Sequence, residues 1–471
     1  MRRVLPVVAF AVSLLSFAQQ PGPSIKDFIH VQAPVIALEH VRVIDGTGAP
    51  AQAGQTILIS GGVIAAIGKD GSVVIPQDAN RMDMSGYTAL PGLVGMHDHL
   101  FYPTGGGLYH DMAFSFPRLY LAMGVTTIRT TGGVEPYLDL ELKKAIDAGK
   151  VPGPKINATG PYLEGPGTFA IQMHELSGPD DARRTVAYWI QEGAQSFKAY
   201  NFITRAELKA AIEEAHKHGV KVTGHLCSIG FREAADLGID DLEHGLTVDT
   251  EFFPGKQPDV CPNPTQAVIA ANKLDVNGPE IQTTIKTLVA HHVAVTSTLP
   301  VFEQFVPSRP DEPQKVLDML NDEARKAYQD NRKRVAQRKE NPWPPMFQKE
   351  MQFERAFVQA GGTLLAGLDP TGIGGVIAGF GDQREVELLV EAGFTPVEAI
   401  KIATLNGAQF LGMADHIGSL AKGKQADIML VKGDPSSKIG DIENVEIVFK
   451  DGVGWDSKKL VESVKGQVGM R

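Results

Sequence analysis

Residues 195–226 read QSFKAYNFITRAELKAAIEEAHKHGVKVTGHL, and they hold one complete structural unit. Gln195–Tyr200 and Val220–Leu226 are short apolar runs of strand length. Between them, Thr204-Arg205-Ala206-Glu207 is a capping box, in which the Thr and Glu side chains satisfy each other's backbone N–H groups. It opens a helix that runs to His218, and Gly219 ends it. Strand, helix and strand in this order are the repeating unit of an α/β fold.

The alternation continues in both directions. Further strands are expected at Leu93–His99, Val125–Thr131, Lys155–Gly160, Ile239–His244, Val293–Leu299 and Thr363–Asp369, with helical patterns between most of them. Thr395-Pro396-Val397-Glu398 starts another helix with an N-cap, a proline at the first helical position and a capping glutamate. Eight strands alternating with helices predict a (β/α)8 TIM barrel over residues 91–412. The stretches 250–292 and 311–358 read as insertions. Residues 24–90 have a different texture. Val35–Leu38, Val41–Ile44, Thr56–Ile59 and Val63–Ile67 are short strands punctuated by Asp45-Gly46, Gly61-Gly62 and Asp70-Gly71. That texture returns within 413–471, at Ala426–Val431 and Val445–Lys450. One small β-sandwich built from both chain ends is the simplest account.

Composition removes several classes of function. The 471 residues include 43% hydrophobic and 21% charged side chains, so the chain can bury a core. Lys and Arg number 45 against 55 Asp and Glu, a net charge of −10 that leaves no general basic footprint for nucleic acid. Residues 1–18 form a basic start, an apolar run from Val4 to Phe17 and a Ser16-Phe17-Ala18 cleavage pattern, expected as a secretory signal peptide. The mature protein is then periplasmic or secreted, with no stable membrane insertion. A homo-oligomer is compatible with the sequence. The two cysteines, Cys227 and Cys261, exclude a disulfide scaffold; unpaired cysteines are the simpler expectation, although an oxidising compartment would permit one bridge.

Barrel enzymes place their reactive groups where strands end, at the C-terminal face. The first strand ends in His97-Asp98-His99, and alternation on a strand points both imidazoles to one face, a start for a metal site. The fourth ends in Phe197-Lys198-Ala199-Tyr200, the fifth in Gly224-His225, the sixth in Glu243-His244-Gly245 and the eighth in Gly367-Leu368-Asp369. A lysine within an apolar strand is costly unless modified or paired. Metal-compatible chemistry at five strand ends is hard to produce by accident.

Taken together, these segments resemble the metal-dependent amidohydrolase superfamily, in particular its imidazolonepropionase-like and Xaa-Pro-dipeptidase-like branch. Ala89-Leu90-Pro91-Gly92-Leu93-Val94-Gly95-Met96-His97-Asp98-His99 carries the likeness, as do Thr223-Gly224-His225, Leu242-Glu243-His244-Gly245 and Ala366-Gly367-Leu368-Asp369-Pro370. One departure is Gly95, where many members have aspartate. The resemblance implies two divalent cations, with zinc suited to His and carboxylate donors. His97, His99 and Asp369 would hold one, and His225 and His244 the other. Lys198 would be carboxylated by CO2 and bridge both.

That set permits hydrolysis of an amide in a small molecule such as a dipeptide or N-acyl amino acid, with Asp369 as proton shuttle and Tyr200 as donor to the developing oxyanion. A lactonase or esterase, or a carbamate or phosphotriester hydrolase, could use the same two-metal site. Arg129, Tyr162 and His174 lie on or after the second and third strands and are candidates for recognising the substrate's carboxylate or amide.

Overall fold

Eight parallel strands surround a central axis in the computed structural model, which describes residues 24–168 and 170–470. The expected leader at residues 1–18 lies outside the described residues. In chain order the strands are β1 (Leu93–Gly95), β2 (Val125–Arg129), β3 (Lys155–Asn157), β4 (Ser196–Ala199), β5 (Lys221–Gly224), β6 (Asp241–Glu243), β7 (Ala294–Ser297) and β8 (Leu364–Ala366). β1, β2 and β3 pair in parallel, and so do β4 to β8 in sequence order. A parallel bridge between Thr159 and Ser196 spans β3 and β4. On the other side, Met96 N–H donates to the Ala366 carbonyl at 2.8 Å. These contacts complete the ring that the alternation predicts.

Local sequence explains the element boundaries. The capping box at Thr204 and Glu207 forms and starts the helix Arg205–Lys217, and Gly219 leaves the helix at φ +69°. Thr395 and Glu398 cap the helix Pro396–Lys401 in the same way. Every barrel strand is shorter at its C-terminal end than the apolar runs suggest. The residues beyond each strand turn into the mouth, where His244 (φ +68°) and Asp369 (φ +50°) take left-handed backbone conformations. Such conformations are costly for non-glycine residues and persist where the surroundings enforce them.

The two stretches read as insertions are partly barrel. The helix Pro279–Ala290 buries Ile281, Ile285 and Leu288 in the main core, and Trp343–Gln359 buries Phe353 and Phe357 there. Their apolar spacing supplies a core-facing stripe, as a barrel helix needs. The additions proper are the segment before Pro279, with the helix Pro264–Ala271, and residues 299–342.

Both chain ends meet in one nine-stranded sheet. Ile428–Lys432 pairs antiparallel with Tyr87–Pro91 on one side and with Val445–Lys450 on the other. Val35–Val43 is a single strand rather than two, with His40 at φ +60° marking its irregularity. The sheet curls until the turn at Gly62 touches the turn at Asp451-Gly452. Its enclosed core joins Ile36, Leu38, Ile57 and Ile64 to Leu430 and Phe449. Lys155 ties sheet to barrel through Asp427 (2.7 Å) and Asp451 (2.8 Å).

Candidate metal centre

His97 and His99 follow β1 rather than lying on it, since the strand ends at Gly95. Strand alternation therefore does not orient them. The loop does, aided by neighbours: Asp369 N–H donates to the His97 carbonyl at 3.0 Å, and Asp98 N–H to the Arg129 carbonyl at 3.1 Å. The two rings meet edge to face with centroids 5.0 Å apart. Asp98 is buried near Asp382; burial foremost, then Asp382, pushes its pKa well up. Gly95 makes that packing feasible. A Cβ at position 95 would collide with the Asp98 carboxyl group.

The side chains singled out at the strand ends come together. His97 Nε2 lies 3.6 Å from Asp369 Oδ2, and His99 Nε2 lies 3.8 Å from Asp369 Oδ1. His97, His99 and Asp369 thus offer three donor atoms all within 4.8 Å of one another. His244 Nε2 is 3.8 Å from Asp369 Oδ2, and the His244 ring lies 4.5 Å from those of both His97 and His225. Lys198 projects from β4 into the same group, with Nζ 3.2 Å from His97 Nε2. Tyr200 sits just past β4, with its ring 4.9 Å from His225 and 5.5 Å from Lys198 Nζ.

Hydrogen bonding aims the imidazoles. The Thr130 carbonyl accepts from His99 Nδ1 at 2.9 Å, and His244 Nδ1 pairs with Thr298 Oγ1 at 2.7 Å. Outer partners of this kind fix ring orientation and leave Nε2 as the donor atom. Burial, reinforced by Lys198, pushes the pKa of His97 and His99 far down. Burial, then His225 and Lys198, does the same to His244. His225 falls to about 3 for want of solvation. All four rings are therefore neutral near pH 7, the form that binds a cation. Burial raises Asp369 to about 6, against the opposing pull of Lys198.

These residues fit divalent cations. His244 Nε2 is buried with no hydrogen-bond partner, which is costly unless a group outside the protein meets it. Neutral imidazoles converging with a carboxylate are the donor set that zinc and similar ions take.

Glu243 is the member of the site to which the sequence reading gave no role. Its Oε2 lies 2.7 Å from Lys198 Nζ and 3.4 Å from His97 Nδ1. Its Oε1 accepts from Thr223 at 2.7 Å and from Arg129 at 3.3 Å. A fully buried acid on the three-residue strand β6 needs such partners, and that need was the available signal. Arg129 is correspondingly not available to a substrate carboxylate. It is fully buried, bonding Thr223, Glu243 and the Met96 carbonyl. His174 faces outward beside Asp181 at 3.3 Å, whereas Tyr162 lines the site near His99 and Tyr200.

Two recesses flank the centre, and His225, Asp369 and Thr371 line both. The larger, about 290 Å³, is walled by Val268, Phe302, Phe305 and Trp343. The smaller, about 50 Å³, is walled by Tyr109, Tyr162 and Tyr200. Cys227, in the wall of the larger recess, is disulfide-bonded to Cys261, so the expectation of unpaired cysteines is corrected. The fold brings their Cα atoms to 4.8 Å across 34 residues, a proximity that spacing alone does not reveal.

Comparison with known proteins gives a consistent picture. The family model described as the amidohydrolase family matches residues 88–301 and 364–454. A curated imidazolonepropionase of Desulfotalea psychrophila is 43% identical over 61 residues. That match spans 12% of this chain and only 15% of the relative. A solved Xaa-Pro dipeptidase with bound methionine superposes with a TM-score of 0.67 at 22% identity, covering 90% of this chain and 100% of its own. A protein of Bifidobacterium longum, provisionally described as a prolidase, has a TM-score of 0.65 at 26% identity, with coverages of 91% and 98%.

Proposed function

The chain belongs to the amidohydrolase family, hydrolases of carbon–nitrogen bonds, and from that premise we propose that it cleaves the amide bond of a dipeptide or N-acyl amino acid at a two-metal centre. His97, His99 and Asp369 would hold one divalent cation and His225 and His244 the second. Zinc is the ion these donors suit best. Lys198, carboxylated on Nζ, would supply a shared anionic ligand. Burial lowers the Lys198 pKa, which favours the neutral amine that adds to CO2. The convergence of His97, His99 and Asp369 within 4.8 Å, with Lys198 against His97, is the observation that carries this reading. Likeness to prolidase-type structures supports a peptide-like substrate.

Bound divalent cations supply a water of lowered pKa and a Lewis acid for the carbonyl. The chain's own groups do the rest. Asp369 is placed over both recesses, takes the proton of the attacking water and delivers it to the departing amine nitrogen. Tyr200, beside Lys198 and His225, donates to the oxygen on which charge develops. Thr371 Oγ1 donates to Asp369 Oδ1 at 2.7 Å and holds its carboxylate in line. Glu243 steadies His97 and Lys198 from beneath.

The protein would act outside the cytoplasm. Residues 1–18 motivate that part of the proposal, and the Cys227–Cys261 bond is consistent with an oxidising compartment. N-terminal sequencing of protein recovered from the periplasm would begin at Gln19 if this is right. The catalytic proposal is tested by screening the zinc-reconstituted protein on dipeptides, N-acyl amino acids, lactones and phosphotriesters. Amide turnover that requires metal, and that is restored after metal removal only when bicarbonate accompanies zinc, is expected. Turnover of lactones or phosphotriesters alone would overturn it.

A further inference from the structure

The two recesses differ in size and chemistry, and that difference bears on what the enzyme accepts. The larger begins at His225, His244 and Asp369 and extends outward through residues contributed by the added segments. Phe302 lies 5.6 Å from the His244 ring. Trp343 stacks on Phe302 at 5.4 Å and on Phe305 at 5.1 Å. The helix Pro264–Ala271 adds Ala267 and Val268 to the lining. Among the described residues, Asp369 is the only acid in this lining, and no lysine or arginine is present.

The aromatic wall is braced before any ligand arrives. Asn341 Nδ2 donates to the Phe305 carbonyl at 2.9 Å, while Asn341 Oδ1 accepts from Trp343 N–H at 3.0 Å. Asn272 Nδ2 donates to the Pro342 carbonyl at 2.9 Å, which joins the two added segments. A preformed apolar cavity avoids the ordering cost of shaping itself around a ligand. A charged group would lose its hydration there without gaining a partner. Across the centre, the tyrosine-walled recess is about a sixth of that size and has room for little beyond the reacting group.

We propose that the cavity bounded by Val268, Phe302, Phe305 and Trp343 receives a large, uncharged, apolar arm of the substrate on one side of the scissile amide. An aromatic or branched aliphatic side chain or acyl group fits that description. The opposite recess takes a compact arm the size of glycine or an acetyl group. Trp343 is then a specificity-determining residue. This inference rests on the amide-hydrolase reading and narrows its substrate class.

The experiment uses the full-length, zinc-reconstituted protein and four amides. N-phenylacetylglycine and N-benzylacetamide put an uncharged aromatic arm on opposite sides of the bond. N-acetylglycine has no large arm, and N-succinylglycine has a charged one. At least one aromatic amide is expected to exceed both others in kcat/KM by about 100-fold, the scale on which an apolar pocket discriminates. Trp343→Ala should lower kcat/KM about 10-fold or more for that amide and leave N-acetylglycine within about 3-fold. Thr265→Arg, which puts a charge in the half-buried lining, should act alike if the tryptophan variant does not fold. Equal use of small or charged arms, or variants that depress all four amides alike, would overturn the proposal. A calorimetric titration of the same zinc-reconstituted protein with phenylacetamide separates the two levels of inference. Binding that Trp343→Ala abolishes, in a protein that hydrolyses neither the four amides nor the dipeptides of the wider screen, retains the cavity assignment and rejects the hydrolase reading. Absence of phenylacetamide binding rejects the cavity assignment itself.

Discussion

The barrel mouth and the curled sheet are built on opposite rules. The sheet's core is built mainly from aliphatic and aromatic side chains: Ile36, Leu38, Ile57, Ile64, Leu430 and Phe449 are all fully buried. The mouth buries His97, His99, Lys198, Glu243, His244 and Asp369 within a few ångströms of one another, and two of them hold left-handed backbones. Hydrophobic burial favours the first arrangement directly. The second is a cost that persists because its groups bind something or act on it. Stability and chemistry are thus separated in space, although both ends of one chain build the sheet and its middle builds the mouth.

The separation is most sharply tested at Asp369. Asp369→Asn should reduce kcat by about 10³-fold while the thermal midpoint moves little, because the proposed mechanism gives the carboxylate a proton to move rather than a core to fill. Steady-state kinetics and a melting curve on the same sample check this. Near-normal turnover would remove Asp369 from its role as proton shuttle.

The complementary change lies in the sheet. Leu430→Ala should lower stability by about 3 kcal/mol through lost burial and the cavity left behind. The folded fraction should keep its kcat. Urea unfolding and active-site titration measure the two effects, and a matching loss of kcat would mean that the regions are not separate.

A third test stays within the mouth, at a buried acid that is not itself an expected cation ligand. Glu243→Gln should weaken metal affinity about 10–100-fold by releasing His97 and Lys198. Competition with a chelator measures it, and unchanged affinity would reduce Glu243 to a structural residue.

The smallest effect concerns an ion cluster behind the aromatic wall. Glu303 lies 2.6 Å from Arg309 and 2.8 Å from Arg384. Burial opposes ionisation, but the two guanidiniums prevail and hold its pKa below the ordinary 4.5. A depressed carboxylate pKa stabilises the fold above the unfolded value and loses that contribution as pH falls through the folded one. Glu303→Gln should therefore cost about 1 kcal/mol at pH 7, since both arginines keep some solvent contact. The gap should narrow below pH 4.5. Urea midpoints at pH 7 and pH 3.5 check the sign.

Much of this contrast was legible in the residues. The capping boxes at Thr204 and Thr395 are local signals that operate as read. The strand-end histidines, Lys198 and Asp369 were legible because charged or metal-binding side chains within apolar runs demand an explanation. What escaped depends on distances across the fold. Glu243 acquires its meaning from Lys198, His97 and Arg129, none of them near it in sequence. Arg129 looked free to meet a substrate because its side-chain partners lie on β1, β5 and β6 or just beyond them. His97 and His99 converge by a loop geometry that strand alternation does not describe. The cysteine pairing and the barrel helices within the presumed insertions likewise follow from three-dimensional neighbours.

The proposed function requires that the mouth hold two divalent cations. Elemental analysis of the full-length protein, dialysed after zinc reconstitution in the presence of bicarbonate, tests it most directly. Two zinc ions per chain are expected, falling to one or fewer in both His97→Ala and His244→Ala. Wild-type protein that retains no stoichiometric metal, or variants that retain two ions, would contradict it.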